Sequence, residues 1–375
     1  MAGIYIHIPF CRRACTYCNF FFSVSQNKKN NLLQALFREI KLRKDYLEGE
    51  FITSIYFGGG TPSLIETSAI RNILDVIENN FTVVKDAEIT LEANPDDLTG
   101  GKLHDLAEAF VNRLSIGAQS FSDSDLRFMN RTHTAADAVR AVKAAQDAGF
   151  SNISIDLIYG TPGMTTEQWK KNLDIAFTLD VPHLSCYCLT VEEKTKLFQL
   201  VRDKKVPDVN EDSATEHFSL LMDMAKQKGF EHYEISNFCR DEMYSKHNTS
   251  YWKREKYLGF GPSAHSFNGD SRQWNVSNIS GYIESIGKEI IPCEKEILTA
   301  SQKFNEYVMT SLRTQWGCDV KVITNEFGEK FEQHFLEKSK KYLQDKLMEQ
   351  KENIFLLARK GKFFADRIAA DIFSD

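Results

Sequence analysis

An α/β fold built on a parallel sheet is predicted by three features of the sequence. Six apolar, strand-like runs follow one another, helical periodicity falls between them, and polar or glycine-rich residues recur at their carboxyl ends. The runs are GIYIHIP, ITSIYFGG, DAEITLEANP, NRLSIGAQS, NISIDLIYG and HLSCYCL. The helical patterns cover 31–46, 68–79, 102–110, 135–148 and 167–178. Strand-then-helix units joined by short turns build a parallel sheet covered by helices. Runs that are nearly all apolar fit strands buried on both faces. An open, doubly wound sheet and a closed barrel both satisfy this pattern. The polar clusters at the strand ends (58–61, 92–95, 119 and 156–162) favour a barrel or partial barrel, whose sites lie at that face.

Length and composition set the bounds. A chain of 375 residues buries a sizeable core and is expected to form two domains. Apolar content of 42% and charged content of 26% are ordinary for a globular protein. A net charge of −6 leaves no basic footprint for nucleic acid. No window suits a membrane span, and MAGIYIHIPF lacks the basic region and cleavage site of a signal peptide. A cytoplasmic protein with reduced thiols is therefore expected. Eight cysteines are too few for a disulfide scaffold at this length, and their clustering points to a metal or redox centre.

From about residue 207 the character changes. A helix at 211–228 leads to YEISNF and then to an aromatic, Gly- and Asn-rich stretch, KHNTSYWKREKYLGFGPSAHSFNGDSRQWN. After residue 299 the chain reads as charged amphipathic helices, followed by a hairpin and a final helix, as in a winged-helix fold. The predicted division is a first domain at 1–245 and a smaller, mainly helical one at 246–375.

The chemistry concentrates in YIHIPFCRRACTYCNFFF, where Cys11, Cys15 and Cys18 fall in a C-x3-C-x2-C pattern. Cubane iron–sulfur clusters are held by thiolates, normally four. Three on one short loop wrap three corners and leave one iron open to an outside ligand, as an open catalytic zinc site does. The competing readings are a zinc knuckle with a distant fourth ligand and an inert buried trio. Zinc sites usually pair C-x2-C units, and no second pair suits here.

This spacing, with Tyr17 inside it and YIHIPF before it, resembles the radical S-adenosylmethionine (SAM) superfamily. The resemblance implies a partial (β/α)6 TIM-like barrel carrying a [4Fe–4S] cluster. SAM would bind the open iron and be cleaved by one electron to a 5′-deoxyadenosyl radical, with flavodoxin or ferredoxin as electron donor. It implies further that Gly58, Gly59, Gly60 and Thr61 hold the methionine amino group, that Glu92 and Arg131 pair with its amino and carboxylate groups, and that Gln119 and Asp156 take the ribose hydroxyls. Tyr5 and Tyr187 would contact SAM. The donor types suit a zwitterion and a diol, although each residue taken singly also reads as a cap, a surface charge or a core polar group. On the sixth strand Ser185, Tyr187 and Leu189 share one face, and Cys186 and Cys188 share the other. His7 belongs to the superfamily signature, either beside the cluster or as a structural group.

Across residues 4–267 the motif order, with DLIYGTPGMT, YEISNF and YLGFGPSAHSF, resembles the HemN/HemW branch. That branch holds oxygen-independent coproporphyrinogen III dehydrogenases and haem-chaperone relatives. The dehydrogenases carry a further cysteine two residues past the third ligand, where this chain has Phe20. The chaperone type carries H-N-x-x-Y-W, here HNTSYW at 247–252. The chaperone type is thus the expectation, and oxidative decarboxylation of porphyrinogen propionates the alternative. His247 would be a haem ligand with Tyr251 and Trp252 stacked on the macrocycle, near the barrel mouth, and His265 a second candidate. Without the resemblance, HNTSYW reads as a turn and an interdomain aromatic core. The partners implied are haem or a porphyrinogen, a haem-acceptor protein and, for assembly, a second copy of the chain as a homodimer.

Overall fold

The computed structural model describes residues 1–374. Six parallel strands lie side by side in chain order: β1 (Ala2–Ile8), β2 (Ile52–Gly59), β3 (Val83–Ala93), β4 (Arg113–Gln119), β5 (Asn152–Tyr159) and β6 (His183–Cys188). Helices Lys29–Leu42, Thr67–Glu78, Gly100–Glu108, Ala135–Asp147 and Thr166–Thr178 cross from each strand to the next, and Glu211–Gln227 follows β6. Several start on side-chain caps that the sequence supplies. Thr134 with Asp137 and Thr165 with Gln168 form reciprocal capping boxes.

The barrel does not close. β7 (Glu231–Glu234) and β8 (Asn237–Cys239) form a hairpin on the free edge of β6. On the other side β9 (Lys256–Phe260) pairs parallel to β1, and β10 (His265–Phe267), β11 (Ser271–Asn275) and β12 (Cys293–Ile297) extend antiparallel beyond it. The result is one 12-stranded sheet containing a (β/α)6 partial barrel. Both edges of the barrel are thereby paired over part of their length, β1 by β9 and β6 by β8.

The barrel strands depart from the expectation of apolar residues on both faces. Ile4, Ile6, Ile89, Leu91, Leu114, Ile116, Ile153, Ile155 and Leu184 face the helices in one continuous core. The alternate residues point inward and are polar: Tyr5, His7, Ser54, Tyr56, Glu88, Glu92, Arg113, Ser115, Ser154, Asp156, His183 and Ser185. Many bond one another, as Ser154 does to His183 Nδ1 (2.8 Å) and His183 Nε2 to the Tyr233 hydroxyl (2.7 Å). The strand runs read as largely apolar because several of their polar members are serines or aromatic rings, and the charged ones, Glu88, Glu92, Arg113 and Asp156, are scattered singly among them.

A second core, centred on Phe304, Phe335 and Phe355, joins helices Ala300–Leu312, Val320–Phe327, Glu329–Gln344 and Ala365–Ile372. A small sheet of β13 (Cys318–Asp319), β14 (Met348–Lys351) and β15 (Ile354–Leu357) completes this winged-helix-like unit. Among the described residues no helix is long and apolar enough to cross a membrane.

One buried polar network fastens the sheet extension to the barrel. Glu39, fully buried, accepts from Gly261 N (2.8 Å), Asn275 Nδ2 (2.8 Å) and the Tyr282 hydroxyl (2.6 Å), and it pairs with Arg43. Arg43 in turn donates to the Gly259 carbonyl (3.0 Å) and to Gln273 Oε1 (2.9 Å). Removing one member of a buried ion pair leaves the other uncompensated, at a cost of roughly 3–5 kcal/mol. Glu39→Ala should therefore lower the urea midpoint of the full chain by an amount worth roughly 3–5 kcal/mol. A loss below about 1 kcal/mol would show that water replaces the carboxylate.

Candidate cluster and cofactor site

Cys11, Cys15 and Cys18 stand on the loop that leaves β1, and the loop is tied at several points. Cys11 N donates to Ser23 O (3.0 Å) and Ser23 N to Pro9 O (2.6 Å), closing its base. Thr16 N bonds Met129 O (3.2 Å), Leu197 N bonds Thr16 O (2.7 Å), and Asn130 Nδ2 reaches Ala14 O (2.7 Å). His7 Nε2 bonds the Phe21 carbonyl (3.0 Å), and Arg12 pairs with buried Asp97. His7 is thus a structural strut of this loop.

All three cysteines are free and partly exposed, and they line one cavity of about 460 Å³ at the carboxyl ends of the barrel strands. Thr61 Oγ1 donates to Cys11 Sγ (3.6 Å) and Arg131 to Cys15 Sγ (3.7 Å). Burial pushes the Cys18 thiol up to about 11, with the neighbouring Cys15 and Cys11 adding to it and the Phe20 N–H opposing it. Burial raises Cys11 as well. Three thiols so placed repel one another as thiolates, and of the cavity's guanidiniums only Arg131 bonds one of them. A cationic iron core is what makes such a donor set favourable. Among the described residues no three metal-binding side chains converge on a single ion, where zinc would need sulfurs about 2.3 Å from one point. A cube spreads its thiolates over separate corners.

The same cavity gathers most of the other predicted residues: Gly59, Gly60, Thr61, Glu92, Gln119, Arg131, Asp156 and Tyr187. Gly60 is glycine for a packing reason, since a Cβ there would lie 2.8 Å from the backbone of Ile8 and Phe10, where the cluster loop departs. Glu92 accepts from the Tyr56 hydroxyl (2.8 Å) and Gly59 N (3.2 Å). Burial, with Asp156 adding to it, pushes its carboxyl up to about 7 against those two hydrogen bonds. Asp156 accepts from Ser115 Oγ (3.0 Å), and burial pushes it up to about 6. Arg131 is held by Asn94 Oδ1 (2.6 Å) and the Gly117 carbonyl (2.8 Å). Gln119 adopts a positive φ of 65° beside a register slip in β4 against β5. At this irregularity Gln119 lines the cavity. Cys186 is core, whereas Cys188 and Leu189 reach the cavity wall.

Two predicted residues lie elsewhere. Gly58 sits below the cavity, where a Cβ would meet Tyr56, Tyr5 and Glu92. Tyr5 lines a second cavity of about 660 Å³, together with Tyr251, Trp252 and His265. Tyr56 and Ser115, which position Glu92 and Asp156, were missed by sequence reading, whereas Asn94, which holds Arg131, and Asn248 in the cavity wall lay inside the 92–95 cluster and HNTSYW but were given no role at this site. Inward parity on the strands identifies Tyr56 and Ser115.

HNTSYW forms the helix Lys246–Trp252 rather than a turn. The backbone amides of Lys246 and His247 donate to the buried Glu88 carboxylate (3.0 and 3.1 Å), so the helix amino terminus plugs the barrel. His247 is 1% exposed. Its Nδ1 bonds Ser54 Oγ (2.8 Å), its Nε2 bonds the Tyr251 hydroxyl (2.8 Å), and its ring stacks on Tyr56 at 5.0 Å. Burial, helped by the Arg113 charge, holds the imidazole down to about 3. In this conformation both His247 nitrogens are engaged by neighbouring hydroxyls, and the ring is buried beneath Tyr251 rather than set on a cavity wall.

A three-cysteine loop over the carboxyl face of a (β/α)6 partial barrel defines a radical SAM protein, and residues 5–176 match the model of the radical SAM superfamily. Residues 298–364 match the HemN C-terminal domain. The chain is 33% identical over 372 residues to "Heme chaperone HemW" of Bacillus subtilis, covering 98% of each. It is 32% identical to the Lactococcus lactis protein of that name, covering 92% of this chain and 90% of the relative. The solved structure of Escherichia coli coproporphyrinogen III oxidase (HemN) superposes with a TM-score of 0.87 at 23% identity, covering 100% of this chain and 90% of that one, a likeness of fold. The chain belongs to the HemW family. A [4Fe–4S] cluster and SAM are the cofactors of this superfamily, and the donor set described above fits them.

If Glu92 holds the methionine ammonium group, it must do so ionised, and burial pushes its carboxyl up to about 7. SAM affinity of the cluster-loaded protein, measured by equilibrium dialysis, should fall as pH is lowered from about 8 to about 6, approaching tenfold per unit below the titration. Glu92→Gln should bind SAM weakly at every pH. A flat profile in the wild type would remove Glu92 from this role.

Proposed function

We propose that this protein is a haem chaperone that holds a [4Fe–4S] cluster and SAM in the first cavity and passes haem to an acceptor protein. The observation that carries the reading is near-full-length similarity to proteins named heme chaperones, joined to the cysteine-lined cavity. Cys11, Cys15 and Cys18 hold the cluster in this reading. When bound, the cluster and SAM supply one-electron chemistry, while the protein supplies position and exclusion of water. Glu92 with Gly59–Thr61 takes the amino group, Arg131 the carboxylate, and Gln119 with Asp156 the ribose. Tyr187, 43% exposed on the wall, packs against the nucleoside. Ser115 and Tyr56 fix the carboxylates in place.

The partners we propose are haem, a haem-acceptor protein and an electron donor such as flavodoxin or ferredoxin, with a homodimer as a candidate assembly and the cytoplasm as location. The functional division near residue 245 is part of the proposal. Composition changes there, sheet hydrogen bonds carry 256–297 onto the barrel, and a separate core begins at Phe304. Phe20, in place of the dehydrogenase cysteine, favours the chaperone over porphyrinogen decarboxylation.

Protein reconstituted anaerobically with iron and sulfide should hold about four irons per chain and bind haemin. The variant with Cys11, Cys15 and Cys18 all changed to Ser should hold none. Assayed with SAM, a reductant and coproporphyrinogen III, the wild type should form no protoporphyrinogen. Steady turnover without haemin binding would reverse the assignment.

A further inference from the structure

The second cavity lies between the cluster loop, the HNTSYW helix, the sheet extension and the helix Ala300–Leu312. At about 660 Å³ it falls in the roughly 300–1,000 Å³ range of small-molecule sites. Its walls are mostly aromatic: Tyr5, Phe20, Tyr251, Trp252, Tyr257 and Phe267. Tyr251 meets Tyr257 edge-on at 4.7 Å, and Tyr257 lies 6.1 Å from Phe267, so the rings brace one another. Nothing in the radical SAM site requires this wall.

Three cationic or ligating side chains join it. Arg272 lies over Phe267 at 5.4 Å and donates to Glu306 through Nε (2.7 Å). Arg254 NH1 donates to Glu326 (3.0 Å). Arg272 also bonds the Tyr257 hydroxyl, and each arginine keeps further donors beyond its glutamate. The buried Trp252 indole N–H and Arg254 Nε have no partner, which is costly unless a ligand supplies acceptors. His265 is exposed on this wall, stacked on Trp274 at 6.2 Å. No hydrogen bond of the described residues engages either of its nitrogens. Among the histidines near this cavity it alone presents an open lone pair, because His7 is bonded at both nitrogens (3.2 and 3.0 Å), as is His247.

We propose that this second cavity is the seat of the cargo haem, with His265 rather than His247 as the protein ligand to its iron and Arg254 and Arg272 taking its carboxylates. The inference rests on the reading of the protein as a haem carrier. A flat apolar ring suits the aromatic wall, a neutral imidazole is a standard axial ligand, and planar guanidinium forks match carboxylates. His247 acts at one remove by holding the Tyr251 hydroxyl. Asn19 and Phe20 border both cavities, and Phe20 is 68% exposed. The cluster loop is thus a wall that both cavities share, and its state bears directly on the edge of the cargo.

The test is a haemin titration of the full chain carrying its cluster, followed by the Soret band. His265→Ala should weaken binding at least about tenfold and shift the band, and added free imidazole should restore it. Arg272→Gln should weaken binding without moving the band. His247→Gln, checked for folding by circular dichroism, should keep the wild-type position of the band. A Soret band in His265→Ala identical to wild type, or one lost in folded His247→Gln, overturns the assignment of the ligand and leaves the chaperone reading standing. Absence of any band in the wild type overturns both.

Discussion

A carboxylate taken out of water must be partnered by charge or by several donors, or else hold its proton, and three such groups stand inside this barrel. Glu88 is answered fully: two amides at a helix amino terminus donate to it, and Arg113 lies 3.8 Å away. Glu92 and Asp156, higher on the same inward face, receive only hydroxyls and one amide. The lower layer is therefore closed, with the HNTSYW helix as its plug. The upper layer remains short of positive charge, and that deficit is what a cationic ligand relieves. The position of the site follows from this division of partners along one set of strands.

Opening the barrel is the second consequence. A closed eight-stranded barrel fills its interior with side chains. Six strands leave a gap, and the gap admits a helix from outside the repeat. Lys246–Trp252 enters there and contributes to both cavities, Asn248 to the first and Tyr251 with Trp252 to the second. The sheet extension that covers β1 is fastened by Glu39 and Arg43, which are buried by helix Lys29–Leu42 and the strands they serve. The two cavities are consequently built on one frame, and both the loop of residues 11–22 and the helix Lys246–Trp252 border each of them.

The repeat of strand and helix, the three-cysteine spacing and the glycine run were legible because each is a local pattern. Parity on the strands was legible in principle. It was hidden because Ser54, Ser115 and Ser154 are small and Tyr5 and Tyr56 count as apolar in a run. β9 was not legible as a neighbour of β1, since a parallel pairing across some 250 residues leaves no mark on either segment. The open edge of β1 alone selects it.

By itself, the chain's order of residues determined the class of architecture, the thiolate donors and most of the groups around the first cavity, because these depend on periodicity and on spacing within single loops. Tertiary structure decided which histidine is free. His247 and His265 have the same side chain and the same intrinsic chemistry. One is enclosed by Ser54, Tyr251 and Tyr56, and the other stands open on a cavity wall. Availability of a lone pair is a property of the neighbours, and the neighbours come from strands and helices distant in the chain.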